Sequence, residues 1–217
     1  MGKCIRHILY YYGNITYYCA RKKPMITQEN MNKILVLDIE TTGFLNQGGS
    51  IVEIGIVELC LETGHAEIVF DSLLREDILT AKHREAPMGW IFRNSDLTPE
   101  EVRNAPPATQ VLSQVQELLD AYPLGCTAYN KQFDFGFLKS RGINIKELPC
   151  PMVLATEVCK LPNKNGYDNY KWPSVEEAWQ YLFPSVQYNE QHRGADDAKH
   201  EALIVHELYK RGVFVLN

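Results

Sequence analysis

The chain has 217 residues, a length that suits one α/β domain with a full core. A hydrophobic fraction of 45% and a charged fraction of 23% are ordinary for a globular protein and exclude a disordered chain. The formal net charge of −5 excludes a protein that grips long duplex by charge alone, so any nucleic-acid contact should be small and local, at an end.

The chain opens on a stretch, Met1 to Lys23, that is basic at both ends and tyrosine-rich between. It lacks the aliphatic centre and small-residue cleavage site of a signal peptide. Arg6 stands where the acylation pattern beginning Met1-Gly2 wants Ser or Thr. Residues 1–32 are therefore read as an extension outside the folded core, with Met25 and Met31 as alternative starts, and residues 33–217 as the folded domain. No run approaches the ~18 apolar residues of a membrane span. The six cysteines form no C-x-x-C pair and read as reduced thiols. A cytoplasmic protein without a membrane partner is expected.

Ile34 to Ile39 reads as a buried first strand, followed by a turn-rich loop from Gly43 to Gly49. Ser50 to Leu61 reads as a long strand covered in part on both faces, Glu62-Thr63-Gly64 as a hairpin turn and Ala66 to Leu74 as a third strand. These three form an antiparallel meander. Asp77 to Arg93 mixes loop and helix. Thr98-Pro99-Glu100-Glu101 is a capping box that starts a short helix, stopped by Pro106-Pro107. Thr109 to Ala121 carries a helical stripe of Val111, Leu112, Val115, Leu118 and Leu119. Cys126 to Tyr129 is a short strand. Helices follow over Gln132–Arg141, with Phe133, Phe137 and Leu138 inward, over Met152–Cys159, over Ser174–Phe183 and over Gly194–Arg211. Antiparallel strands first, then strands mixed with helices, predict an α/β sheet with helices on both faces.

Acids stand at the ends of these elements. Asp38 and Glu40 lie two apart at the end of the first strand and so point to one face. Two buried carboxylates side by side require compensation, by a shared proton or a divalent cation, and a solvated strand end is the competing account. Asp134 follows the strand–helix junction at Asn130, and Asp196 and Asp197 open the last helix after His192. Strand ends and helix starts converge at one sheet edge. An oxygen-rich cluster there suits two hard cations, Mg²⁺ or Mn²⁺, and two such ions serve phosphodiester hydrolysis.

With these residues in order, the chain resembles the 3′→5′ exonucleases of the DEDD superfamily, in the branch with a histidine, typified by the proofreading epsilon subunit of bacterial DNA polymerase III. The motifs stand as Asp38-Ile-Glu40-Thr41-Thr42-Gly43, Asn130-Lys-Gln-Phe133-Asp134 and His192-Arg-Gly-Ala-Asp196-Asp197. The resemblance covers Ile34 to the C-terminus and implies a ribonuclease H-like mixed sheet, an antiparallel meander followed by parallel strands. It further implies that Asp38 bridges two metals, that Glu40 and Asp197 hold the one that activates water, and that Asp134 supports the other. His192 is the implied general base, and Thr41, Thr42, Phe44 and Asn130 the implied contacts to the 3′-terminal nucleotide. Motif spacing selects Asp197 over Asp196. Gly194 replaces a frequent Ala and is expected to loosen the His192 loop.

Other residues carry blander expectations. Trp90, Trp172 and Trp179 are read as core, and His7, His65, His83, His200 and His206 as surface. Lys160, Lys164 and Lys171 are read as a solvated loop, and Lys131 as a solvated lysine or a phosphate contact. The resemblance implies a metal-dependent exonuclease acting on a DNA 3′ end, most simply single-stranded, with any polymerase partner in trans. A ribonuclease trimming RNA ends and a weakly catalytic binding module are the alternatives.

Overall fold

The computed structural model describes residues 31–77, 81–84, 88–163 and 168–216. The expectations for residues 1–30, His7 among them, and for Lys164 lie outside these. No helix among the described residues is long and apolar enough to cross a membrane.

Strand β1 (Lys33–Thr41) runs antiparallel to β2 (Ile51–Cys60), which runs antiparallel to β3 (Ala66–Leu73). β4 (Cys126–Thr127) pairs in parallel with β1, giving the order β3-β2-β1-β4. The mixed sheet matches expectation, but its parallel part is small. Beyond the two residues of β4, the described residues add a parallel bridge from Cys126 to Glu147 and another from Arg75 to Pro107.

Alternation in β1 assigns its two faces. Leu35, Leu37 and Ile39 pack with Val111, Val115 and Leu119 of α3 (Ala108–Asp120) and with Phe135, Phe137 and Leu138 of α4 (Lys131–Ser140). Ile34 and Val36 pack on the other face with α5 (Pro151–Cys159), α6 (Val175–Leu182) and α7 (Gly194–Lys210). Each fully buried aliphatic side chain contributes about 1.5–3 kcal/mol. Asp38 and Glu40 share the parity of Ile34 and Val36, so both face α7. Short helices α1 (Ile91–Asn94) and α2 (Pro99–Asn104) are anchored by Ile91, Leu97 and Val102 packing on Val52. The capping boxes at Thr98 and Ser174 form as the sequence predicts.

α7 approaches the sheet closely because its inner face is built from Gly194, Ala195, Ala198 and Ala202, all buried. The closest approach is Gly194 over Gly55 of β2. A Cβ on Gly55 would fall inside the van der Waals surface of the Gly194 carbonyl and the Ala195 nitrogen. One on Gly194 would lie 2.8 Å from the Gly55 nitrogen and 3.3 Å from the Asp38 carbonyl oxygen. Gly194 thus serves backbone-to-backbone packing, which corrects the expectation that it loosens the His192 loop.

Gly55→Ala should therefore push α7 off the sheet. The expected cost is about 1–3 kcal/mol. In a domain of this size that lowers the melting temperature by roughly 2–10 °C. A melting curve superimposable on wild type would refute the close-approach account.

Candidate active site

A cavity of about 620 Å³ opens where the end of β1 meets the starts of α4 and α7, and Asp38, Glu40, Asp134 and Glu201 line it. Asp38 and Glu40 reach it from β1, whose hydrophobic run drives them into the interior. Asp134 reaches it from the first turn of α4, and its Oδ1 accepts the Ile39 N–H at 3.3 Å. Asn130, before α4, takes the left-handed conformation at φ 59° that turns the chain from β4 into the helix, and it too lines the cavity.

Asp197, 1% exposed, sits in the first turn of α7 and accepts three hydrogen bonds. Its Oδ1 takes the Tyr188 hydroxyl at 2.5 Å and the Gln191 N–H at 3.2 Å, and its Oδ2 the Arg193 N–H at 2.9 Å. These donors wrap the loop that carries His192, whose φ is 54°. Ligand atoms of Glu40, His192 and Asp197 lie within 4.8 Å of one another. Asp196 instead points outward toward His200, at 3.5 Å.

Among the described residues, no Lys or Arg pairs with Asp38, Glu40, Asp134, Asp197 or Glu201. Burial and neighbouring carboxylates raise the carboxyls of Asp38, Glu40, Asp134 and Glu201. The Asp38 carboxyl is held well above its usual range by burial first and then by Glu201, Glu40, Asp134 and Asp197. Glu40 is pushed up to about 9 by burial, with Asp197 and Glu53 adding to it. Burial lifts Asp134 to about 8. Glu190, at the cavity wall, rises to about 7 through burial and the Asp197 charge. Glu201 is raised by burial and Asp134. A pocket of buried acids without an internal cation, with Glu40, His192 and Asp197 converging, fits divalent metal ions by the chemistry of its donors.

Expected substrate contacts divide. Thr41 and Phe44 line the cavity, and Phe44 is 61% exposed with its ring edge-on to Phe133 at 6.2 Å. Phe133, half-buried, packs inward against the core as expected and also lines the cavity. Thr42 does not line it. Thr42 is fully buried, its Oγ1 accepts the Ser50 N–H and its carbonyl accepts the Gly89 N–H, so it ties the loop together. Arg141, just past the end of α4, pins the same loop. Its guanidinium bonds both oxygens of the buried Glu76, at 2.8 and 2.9 Å, and Glu76 in turn accepts the Ser50 hydroxyl.

Several expectations are corrected. Trp90 and Trp172 are 46% and 64% exposed, whereas Trp179 is core; Trp90 lines the cavity and Trp172 lies on the loop before α6. His83 is buried, with Nε2 3.0 Å from the Gly48 carbonyl oxygen. His200 is half-buried and stacks on Tyr188 at 3.9 Å. Lys131 bonds the Leu148 carbonyl at 2.7 Å and pairs with Glu147, and Lys171 pairs with Glu177. None of the expected site residues named Glu201, Glu190, Trp90 or the Glu53–Arg193 pair. Glu201 had a signal, an acid one helical turn after Asp197 on an alanine face. The others arise from contacts across the sheet and between loops.

The Glu53–Arg193 pair fixes the start of α7. Arg193 holds Glu53 through Nη2 at 2.8 Å, and Glu53, 1% exposed, also accepts the Gly194 N–H at 3.0 Å. Glu53 stands opposite Glu40 in the sheet register, so the clamp seats the His192 loop over the paired acids.

A sheet with these acids at its edge defines a nuclease class, and the chain belongs to the exonuclease (RNase_T) family, whose pattern matches residues 35–205. The DNA polymerase III PolC-type of Caldanaerobacter subterraneus subsp. tengcongensis is 27% identical over 199 residues, which cover 89% of this chain and 13% of that protein. The nuclease domain of 3′hExo, a DEDDh family member bound to rAMP, superposes with a TM-score of 0.59 at 18% identity, covering 86% of this chain and 96% of that one. E. coli Exonuclease I in complex with a dA16 oligonucleotide gives a TM-score of 0.58 at 13% identity, over 85% of this chain and 42% of that one. This chain shares its mixed sheet with these solved structures, and it spans only about an eighth of the PolC-type relative's length.

The raised carboxyls set a stability dependence on pH. Asp134 and Glu40 ordinarily titrate at 3.8 and 4.5, and in the fold at about 8 and about 9. Between those values the folded chain holds protons that the unfolded chain has released, so stability falls as pH rises. The metal-free melting temperature should drop between about pH 5 and pH 8. Mn²⁺ should restore it more at the higher pH, and Asp134→Asn should flatten the dependence. A melting temperature that climbs over this range would contradict the account.

Proposed function

We propose that the chain is a metal-dependent 3′→5′ exonuclease that removes nucleoside 5′-monophosphates from a DNA 3′ end, single-stranded in the simplest case. The convergence of Asp38, Glu40, Asp134 and His192 on one cavity, with Asp197 beneath it, carries the reading. Two divalent ions, Mg²⁺ or Mn²⁺, would neutralise the acids and the developing phosphate charge. Asp38 would hold both, Glu40 and Asp197 one, and Asp134 the other.

The protein's own part is binding, orientation and proton transfer. Phe44 and Phe133 receive the terminal base against apolar surface, and the backbone of Thr41 and Gly43 faces the sugar. His192, held beside Glu40 and Asp197, takes a proton from the attacking water. The water oxygen bonds to phosphorus, the bond from phosphorus to the 3′ oxygen breaks, and that oxygen leaves to be protonated from solvent. DNA is preferred because the relative identified above is a DNA polymerase. The rAMP bound to the 3′hExo nuclease domain favours RNA ends as a second reading. A polymerase partner in trans, a cytoplasmic location and a catalytic domain spanning residues 33–217 complete the proposal.

His192→Ala should lower turnover by about 10²–10⁴-fold with the melting temperature kept. Asp38→Ala should bring it to background. The assay is stepwise shortening of 5′-labelled single-stranded DNA, duplex DNA and RNA with Mg²⁺ or Mn²⁺. Wild-type rates in either variant would sink the mechanism, and preference for RNA would select the second reading.

A further inference from the structure

Among the acids of the described site, Asp197 holds the most hydrogen-bond donors. A carboxylate has about four acceptor positions, two on each oxygen. Tyr188 and Gln191 fill those on Oδ1, and Arg193 fills one on Oδ2. A single position is left, on Oδ2, for a cation. Two of the donors are main-chain amides of the His192 loop. The third is the Tyr188 hydroxyl, carried by the segment that follows α6.

The phenol is held from several sides. His200 stacks on its ring, with centroids 3.9 Å apart at 23°, and Trp179 meets it at 5.3 Å. The Trp179 indole N–H donates to the Val186 carbonyl at 2.9 Å, and the Glu190 N–H to Glu176 at 3.2 Å. The chain on either side of Tyr188 is thereby tied to α6. His200 Nδ1 lies 2.9 Å from the Asp196 carbonyl oxygen, one turn back on α7. The ring that supports the phenol and the carboxylate that receives its hydrogen bond therefore ride on one helix. At 2.5 Å the contact has the length of a hydroxyl bound to a carboxylate anion, about 2.5–2.7 Å.

We propose that Tyr188 is a positioning residue: by saturating Oδ1 it turns Oδ2 of Asp197 toward the cation site that Asp197 shares with Glu40. The proposal rests on the metal-dependent exonuclease reading above. The last torsion of an aspartate is soft and does not fix its own oxygens. Without the hydroxyl, Oδ1 regains a free position and the carboxylate can turn, so the ligand is no longer aimed before the ion arrives. Tyr188 thus acts on the cation through Asp197, as outer partners of metal ligands do.

The test is Tyr188→Phe, which removes the hydroxyl and keeps the ring against His200 and Trp179. Binding of Mn²⁺ to the full chain is followed by the electron paramagnetic resonance of the free ion. Asp197→Asn identifies the binding step that Asp197 serves. Tyr188→Phe should weaken that step roughly 10-fold and leave the other within about twofold. A role in packing alone would move both steps or neither. The Mn²⁺ concentration for half-maximal hydrolysis of single-stranded DNA should rise by the same factor. The rate at saturating Mn²⁺ should recover to within about threefold of wild type. A Tyr188→Phe isotherm that matches wild type, or both steps weakened alike, beside an active wild type would overturn this proposal alone. A wild type that cleaves no oligonucleotide, DNA or RNA, would overturn the exonuclease reading and this proposal with it.

Discussion

Repulsion among buried carboxylates is the constraint around which this fold is arranged. Asp38, Glu40, Asp134 and Glu201 line one cavity, Asp197 lies beside Glu40, and no described Lys or Arg neutralises any of them. Isolated buried charges of this kind cost several kcal/mol each, so the groups hold protons or cations. A chain pays that energy only where the acids must act together, and three separate stretches must then be held at one point. The rest of the architecture supplies that grip. The apolar run of β1 drives its last acids inward, α4 delivers Asp134 against the Ile39 amide, and the small inner face of α7 lets Asp197 approach the sheet.

Two charged clamps outside the acid cluster make the approach definite. Arg141 on Glu76 secures the loop after β1, and Arg193 on Glu53 secures the start of α7. Both use a guanidinium against a nearly buried carboxylate that also accepts backbone or hydroxyl donors. Removing one partner of such a pair leaves a buried charge, which is more damaging than loss of a surface pair. The positive charge that the cavity lacks is thus spent one layer out, where it fixes geometry without neutralising the acids.

The fold was readable where local chemistry decides it. Period-two hydrophobicity set the meander, capping residues at Thr98 and Ser174 set two helices, and the alanine stripe set α7. The acids were readable because strand parity and helix phase place them. The parallel part was the hardest to read in detail, since two residues of β4 and isolated bridges leave almost no pattern. Trp90, Glu190, Thr42 and the Glu53–Arg193 pair depend on which loops meet in space. A tryptophan is usually buried, and nothing in its neighbours along the chain says that this one faces a cavity. Gly194 is the sharpest case. Its freedom suggested a loose loop, but the missing side chain is what brings α7 onto Gly55.

His192 shows how closely the parts depend on one another. Its backbone sits in the left-handed region, which costs a non-glycine residue about 1–2 kcal/mol. That conformation persists because Gln191 and Arg193, on either side of it, both donate their amides to Asp197. Arg193 then uses its side chain to hold Glu53, the cross-strand neighbour of Glu40. The carboxylate proposed to hold a cation therefore also shapes the loop that carries the proposed base. Asp197 and His192 form one unit, and the effect of removing either includes part of the other. The motif spacing of five residues between them follows from this geometry, since the loop must be long enough to turn through His192 and short enough to return its amides to Asp197.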